Sequence, residues 1–263
     1  MRRCAALLLL LCVSLSGSAQ DASSPVPFIT TPDTVVQRML ELAGTRADDL
    51  VVDLGSGDGR IVIAAAAKFG ARGLGIELDG ALVEKSRHNA RRANVQDRVS
   101  FLQGDVLAAD ISKATVVTVY LLPGLIHSLQ PRFLETLQPG TRIVSHAFGM
   151  SGWRPDRAET VRVLQPHAGQ GDESRLFLWV VPADVRGVWQ APGTQLRIHQ
   201  NFQEIEIEGR LAGRPIATSR ASLNGRQIIW EADGLQFRGR FDGKIIAGEL
   251  VGPDRRQPLF LQR

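Results

Sequence analysis

Ten residues near the start of the chain, VVDLGSGDGR at positions 51–60, constrain its fold more than any other stretch. Leu50, Val51 and Val52 form a short apolar run, the pattern of a parallel strand buried on both faces. Asp53 stands at its carboxyl end. Gly55, Gly57 and Gly59 follow at alternate positions, with Ser56 and Asp58 between them. Residues 61–70, IVIAAAAKFG, have helix-forming composition and a glycine stop. The order strand, glycine turn, helix puts the turn at the carboxyl edge of a parallel sheet, where open α/β folds bind ligands. Glycines there permit positive φ and close approach of a ligand, and the helix start offers N–H groups to an anion.

The spacing separates the nucleotide folds. A dinucleotide fingerprint counted from Gly55 needs glycine where Arg60 stands, and the Gly-Lys-Ser/Thr of a phosphate loop is absent. What stands here is D-x-G-x-G-x-G, which resembles motif I of the class I, seven-β-strand S-adenosylmethionine-dependent methyltransferases. Glu77 ends the next apolar run about 20 residues on, where a carboxylate accepts from ribose hydroxyls. Asp105 follows the strand-like residues 99–102. Alone it reads equally as a helix N-cap; in register with the other two it reads as a ligand, and the resemblance implies contact with the adenine amino group. The resemblance implies S-adenosylmethionine as donor, held by Asp53, Gly55, Ser56, Gly57, Asp58, Gly59, Glu77 and Asp105.

In chain order, residues 20–32 read as a linker. Apolar residues at three- and four-residue spacing predict a helix from Asp33, capped by Thr31 or Asp33 and stopped at Gly44. Later segments read as a helix with a basic outer face over residues 81–95, a buried strand over 115–122 ended by Pro123-Gly124, a helix over 126–137, and a strand over 142–146. Residues 160–164 and 176–181 read as a hairpin across a polar, glycine-containing loop. Five βα units and a hairpin match the methyltransferase order, so the expected fold class is α/β with a doubly wound seven-stranded sheet; the resemblance covers about residues 27–182. Thr31-Pro32, DLGSGDGRIVIAAA, VYLLP and Gly152-Trp153-Arg154-Pro155 together narrow it. They look like bacterial relatives of the mitochondrial lysine methyltransferases that modify the adenine nucleotide translocase and the c-ring protein of ATP synthase. That likeness implies a protein lysine as acceptor and hence a protein partner.

After residue 185 the composition changes to short alternating runs separated by Ala212-Gly213, Asn224-Gly225, Asp233-Gly234 and Asp242-Gly243, which are hairpin signals. The expected division is a methyltransferase domain over residues 33–185 and a small antiparallel barrel or sandwich over 186–263. His199 falls on the outward phase of this alternation.

The first 19 residues read as a cleaved secretory signal: Arg2 and Arg3, an apolar run over residues 5–15, and small Gly17 and Ala19 before the cut. Ten or so apolar residues are too few to span a bilayer. The expectation is an exported, periplasmic protein with no transmembrane segment after cleavage; the competing reading is a membrane tether formed by an uncleaved leader. Cys4 and Cys12 would leave with the leader, which excludes disulfides and thiolate metal sites. Without Arg2 and Arg3 the chain has 29 basic against 27 acidic residues and no basic run interleaved with aromatics, so nucleic acid is not the expected partner.

Methyl transfer from a sulfonium is an in-line displacement in which the protein supplies positioning, with no need of a metal or a protein nucleophile. Tyr120, the only tyrosine, and His146 stand at the ends of adjacent strands and are the candidates for catalysis. Leu121, Leu122, Pro123 and Trp153 are the candidates for the acceptor passage. Each also has a plain structural role open to it, as core aromatic, strand-end histidine or packing residue. The expected function is S-adenosylmethionine-dependent methyl transfer. The alternative is an exported methyltransferase-fold binding module without catalysis, which the leader favours because the donor is made inside cells.

Overall fold

The computed structural model describes residues 29–167 and 171–263. The expected leader, most of the linker and part of the hairpin loop therefore lie outside the described residues. Strands β1 (Leu50–Leu54), β2 (Arg72–Glu77), β3 (Val99–Gln103), β4 (Val116–Val119) and β5 (Arg142–His146) pair in parallel, and β6 (Arg157–His167) and β7 (Gly171–Val180) close the sheet antiparallel, in the order β3-β2-β1-β4-β5-β7-β6. The apolar runs of the central strands are continuous because both faces are covered. Val51, Val116 and Val144 point to α1 (Asp33–Leu42), α2 (Arg60–Phe69) and α3 (Gly80–Arg92); Val52, Leu54, Val117, Val119 and Ile143 point to α4 (Pro123–Thr136). The expected seven-stranded methyltransferase sheet is present.

Three local expectations are corrected. Only β1, β2 and β4 are followed by a helix; residues 104–115 after β3 and 147–156 after β5 are turns and irregular chain, so there are not five βα units. The strand expected over 115–122 ends at Val119. Pro123 does not end a strand but begins α4, where its fixed φ suits the first helical position and no amide is missed. Neither Thr31 nor Asp33 caps α1. Pro32 is the N-cap, with φ −60° and ψ 147°, and its carbonyl accepts from Val35 and Val36, which leaves Thr31 one residue too early to cap.

The second sheet has nine antiparallel strands between Gly187 and Gln262, each hairpin pairing with its neighbour. It is one curled sheet rather than a two-sheet sandwich. At the corner between β11 (Arg214–Ala217) and β12 (Arg220–Asn224), Thr218 donates to Ile207 at 2.9 Å and Ser219 to Glu231 at 3.0 Å, drawing the two ends of the sheet together. Its interior holds Trp189, Trp230 and Phe237, all at most 1% exposed. The Ala212-Gly213 and Asp233-Gly234 turns have positive φ at both positions, as two-residue hairpins require.

The curled sheet is fastened to the amino edge of the parallel strands. Ala183, three residues past β7, donates to Gly225 of the curled sheet at 2.8 Å, and Gly225 packs on the backbone of Gly140 just before β5, where an added Cβ would stand 2.9 Å from the Gly140 Cα. Beside them the loop between β9 (Thr194–Asn201) and β10 (Glu204–Leu211) lays Phe202 flat on Trp153, centroids 5.2 Å apart and 6° from parallel. Gln203 accepts from the Trp153 indole at 2.8 Å and donates to the Arg154 carbonyl at 2.6 Å. Among the described residues, no helix is long and apolar enough to cross a membrane. Phe202→Ala is expected to cost about 1–3 kcal/mol through lost aromatic packing. Thermal denaturation should show the loss, and ligand binding at the opposite edge should not change.

Candidate active site

The glycine turn is built by positive φ at three places: 76° at Gly55, 55° at Gly57 and 79° at Gly59. Side chains are excluded as well as strained. A Cβ on Gly59 would stand 2.6 Å from the Phe101 ring, and one on Gly55 would stand 2.7 Å from Leu121. The loop amides turn inward. Gly55 and Ser56 donate to the Ile76 carbonyl at 2.9 and 3.0 Å, Gly57 to Glu77 Oε2 at 2.8 Å, and Gly59 to Ser56 at 2.9 Å. These four N–H groups are engaged within the protein, so the loop itself contributes backbone surface to the cleft, and the expectation of amides for an anion rests on the first turn of α2 alone.

The loop floors a cleft at the carboxyl edge of the sheet, lined by residues between Ile29 and Leu125. Asp53, Gly55, Ser56, Gly57, Asp58, Glu77, Asp105, Tyr120 and Leu121 all line it. Gly59 lies beneath, as the N-cap of α2. His146 is fully buried behind Tyr120, ring centroids 4.1 Å apart. Burial pushes the Tyr120 phenol above the ordinary tyrosine value. Asp105 caps no helix, since none follows β3: Oδ1 accepts from the Leu107 amide at 2.8 Å in a turn, and the residue lines the cleft. Leu122, Pro123 and Trp153 do not line the cleft. Trp153 is 1% exposed and belongs to the contact with Phe202 and Gln203.

Several lining residues carry no signal in the sequence pattern. Leu78 is 71% exposed beside Glu77 and offers an apolar face to a ring lying across the cleft. Arg60, which in the sequence stands out only as a breach of the dinucleotide pattern, chelates Asp58 through Nε at 2.9 Å and Nη2 at 2.7 Å, and donates from Nη1 to the Thr31 carbonyl at 2.8 Å. Residues 29–31, which have the composition of a linker end, are packed over the cleft, with Thr31 4% exposed.

The cleft is acidic, with Asp53, Asp58, Glu77 and Asp105 against Arg60. Burial raises the Asp58 carboxyl, but the Arg60 bonds and charge outweigh it and hold the group below its ordinary value. Asp53 has no such cation. Burial pushes it up to about 7, with the charges of Glu77 and Asp58 adding to the rise and only the 2.7 Å bond from Thr118 opposing it. A ligand carrying positive charge would supply what this floor lacks.

The model of the ANTKMT methyltransferase domain matches residues 53–157. A protein-lysine N-methyltransferase of Saccharolobus islandicus (strain REY15A) is 44% identical over 131 residues, which span 49% of this chain and 81% of that protein. The chain belongs to this methyltransferase family. The adenine nucleotide translocase lysine N-methyltransferase of Mus musculus is 33% identical over 130 residues, which span 49% of this chain and 56% of that relative. A solved structure from Salinibacter ruber, described as an RNA methyltransferase in complex with S-adenosyl-L-homocysteine, is 51% identical and aligns with a TM-score of 0.54 over 59% of this chain and 95% of that one. The methyl donor of the ANTKMT domain is S-adenosylmethionine, and the cleft fits it. Glu77 at the tip of β2 would face the ribose hydroxyls and exposed Leu78 beside it a flat ring, and the acidic floor is complementary to a sulfonium and an ammonium.

Two outcomes are expected. Glu77→Ala should weaken S-adenosylhomocysteine binding by about 1.5–3 kcal/mol, the scale of a charge-assisted hydrogen bond, measured by calorimetry. The second concerns pH and the empty protein. Because the folded-state value of Asp53 lies above its unfolded value of 3.8, its contribution to stability is complete below pH 3.8 and is lost as pH rises through about 7, at roughly 1.4 kcal/mol per unit. Asp53→Asn removes that loss. The melting temperature of the variant should therefore gain on the wild type as pH rises from 5 to 8, and a constant difference would contradict the buried charge.

Proposed function

We propose that this protein methylates a lysine side chain of another protein. The observation that carries the reading is Tyr120, whose ring forms part of the cleft wall with Leu121 and is backed by buried His146. S-adenosylmethionine supplies a methyl group on sulfur that passes in line to a nucleophile. For a lysine, the nucleophile must first lose a proton, which costs about 4–5 kcal/mol near neutral pH. On this reading the apolar wall of Leu121 and Leu125 favours the neutral amine by desolvation, and Tyr120, which lines the same cleft, supplies the oxygen that accepts from it and aims its lone pair. The acidic floor draws the protonated side chain toward the cleft beforehand. The protein-lysine activities in the names of the Saccharolobus and Mus relatives support the same acceptor class.

A second reading has one observation in its favour: the Salinibacter relative is described as an RNA methyltransferase. The near balance of charges and the lack of a basic run interleaved with aromatics weigh against it here. Transfer of tritiated methyl groups into a cell extract separates the two. Label that is released by protease and appears as methyl-lysine after hydrolysis is expected; label released by ribonuclease would overturn the lysine reading. Tyr120→Phe is expected to lower the transfer rate ~10–100-fold with S-adenosylhomocysteine affinity unchanged. We also infer export through a cleaved leader over residues 1–19, supported by Arg2-Arg3, the apolar run and the small residues that follow. N-terminal sequencing of protein recovered from the periplasm should begin near Gln20, and a retained Met1 in the membrane fraction would favour the tether.

A further inference from the structure

Thr31 stands where two otherwise separate parts of the active site meet. Its backbone carbonyl takes Arg60 Nη1 at 2.8 Å, and Arg60 is itself clamped to Asp58 of the glycine loop by two bonds. Its hydroxyl lies 3.4 Å from Nδ1 of His146, a bond that spans 115 positions of sequence. His146 in turn lies against the Tyr120 ring at a 38° tilt. Thr31 and His146 are both buried, whereas Tyr120 is half-buried and reaches the cleft. An unbroken line of contacts therefore runs from the donor loop, through the chain ahead of α1, to the aromatic wall of the cleft.

The chemistry of each link is distinct. The Arg60 bond uses the main chain of Thr31, so it survives any side-chain substitution that leaves the backbone in place. The His146 contact uses the hydroxyl, which only serine reproduces among the other small aliphatic side chains. Ring-on-ring contact of the kind between Tyr120 and His146 has little directional hold on rotation of either ring in its own plane. A hydrogen bond to one ring nitrogen fixes that rotation for His146, and hence the surface against which Tyr120 rests. Pro32 fixes the geometry from the other side: with φ −60° it starts α1 immediately, so Thr31 cannot drift into the helix and keeps its hydroxyl for His146.

We propose that Thr31 is a positioning residue: it holds His146, and through it the Tyr120 ring, in register with the donor loop that Arg60 ties to the same residue. The consequence for catalysis rests on the reading of Tyr120 as the group that faces the acceptor; the positioning itself does not. It predicts that the two halves of the link separate by substitution. Removing the hydroxyl should disturb the acceptor wall and spare the donor side.

Because Tyr120 is the only tyrosine of the chain, isotope-labelled tyrosine gives a single set of ring resonances in the full-length protein. In the wild type, cross-peaks between the Tyr120 and His146 rings are expected from their 4.1 Å separation. Thr31→Val keeps the branched shape and loses the hydroxyl. These cross-peaks should fall by at least about half, the S-adenosylhomocysteine Kd should stay within about twofold, and the initial rate of labelled-methyl transfer into a protein extract should drop roughly tenfold. Thr31→Ser should return the cross-peaks and the transfer rate to wild-type values and leave the Kd unchanged. Unchanged cross-peaks in Thr31→Val, or a serine variant that behaves like the valine one, would overturn the proposal. If Thr31→Val fails to fold, Thr31→Ala is compared with Thr31→Ser by the same measurements and the same criteria. Cross-peaks that fall without any change in transfer would uphold the positioning and instead refute the acceptor-side role of Tyr120.

Discussion

The contact on which the rest of the site depends is the knot between the end of β1 and the end of β2. Gly55, Ser56 and Gly57 direct three consecutive amides at Ile76 and Glu77, so the turn after β1 is held to the strand beside it before any ligand arrives. This geometry requires left-handed backbone at alternate positions, which is why glycine recurs at every second residue. It also fixes Glu77. One carboxylate oxygen takes Gly57 and the other takes Asp79, so the side chain that faces the cleft is oriented by main chain on both sides. A donor site assembled in this way is preorganised and needs little rearrangement on binding.

Electrostatics extend the same logic. Four carboxylates converge on the cleft, and only Asp58 has an arginine chelating it. Asp53, fully enclosed and held by Thr118 alone, is the group most sensitive to whether a positive charge is present. The cleft is thus complementary to a cation, on the donor side and on the acceptor side alike.

That the glycine turn and the strand-end carboxylates share one cleft was legible in the sequence because its determinants are local: a glycine spacing, and a carboxylate at or just past each of two strand ends. The sheet order followed from the same motifs through the family resemblance. What was not legible depends on partners far along the chain. Trp153 looked like a wall of the acceptor passage, yet its neighbours Phe202 and Gln203 lie some 50 residues on, in the other sheet. Thr31 looked like a helix cap, because a threonine just before a helix usually is one, while the bond it makes reaches His146. The apolar run of residues 115–122 looked like one long strand; it is four residues of strand, then a cleft wall, since a buried strand and an apolar pocket draw on the same side chains. The curled sheet was readable as hairpins, but its place against the amino edge of β5 was not, for the contacts that dock it are a main-chain bond, an aromatic stack and the Gln203 amide, each joining residues far apart in the chain.

That placement has a mechanical meaning. Strand β5 begins two residues past Gly140, against which Gly225 of the curled sheet packs, and ends at His146, behind the cleft wall. Four rises of about 3.3 Å put roughly 13 Å between the two. The strand is flanked on both sides by hydrogen-bonded neighbours and covered on both faces, so it behaves as a strut and not as a hinge. The curled sheet therefore bears, through the turn at Gly140, on one end of a rigid strand whose other end is the histidine behind the cleft wall.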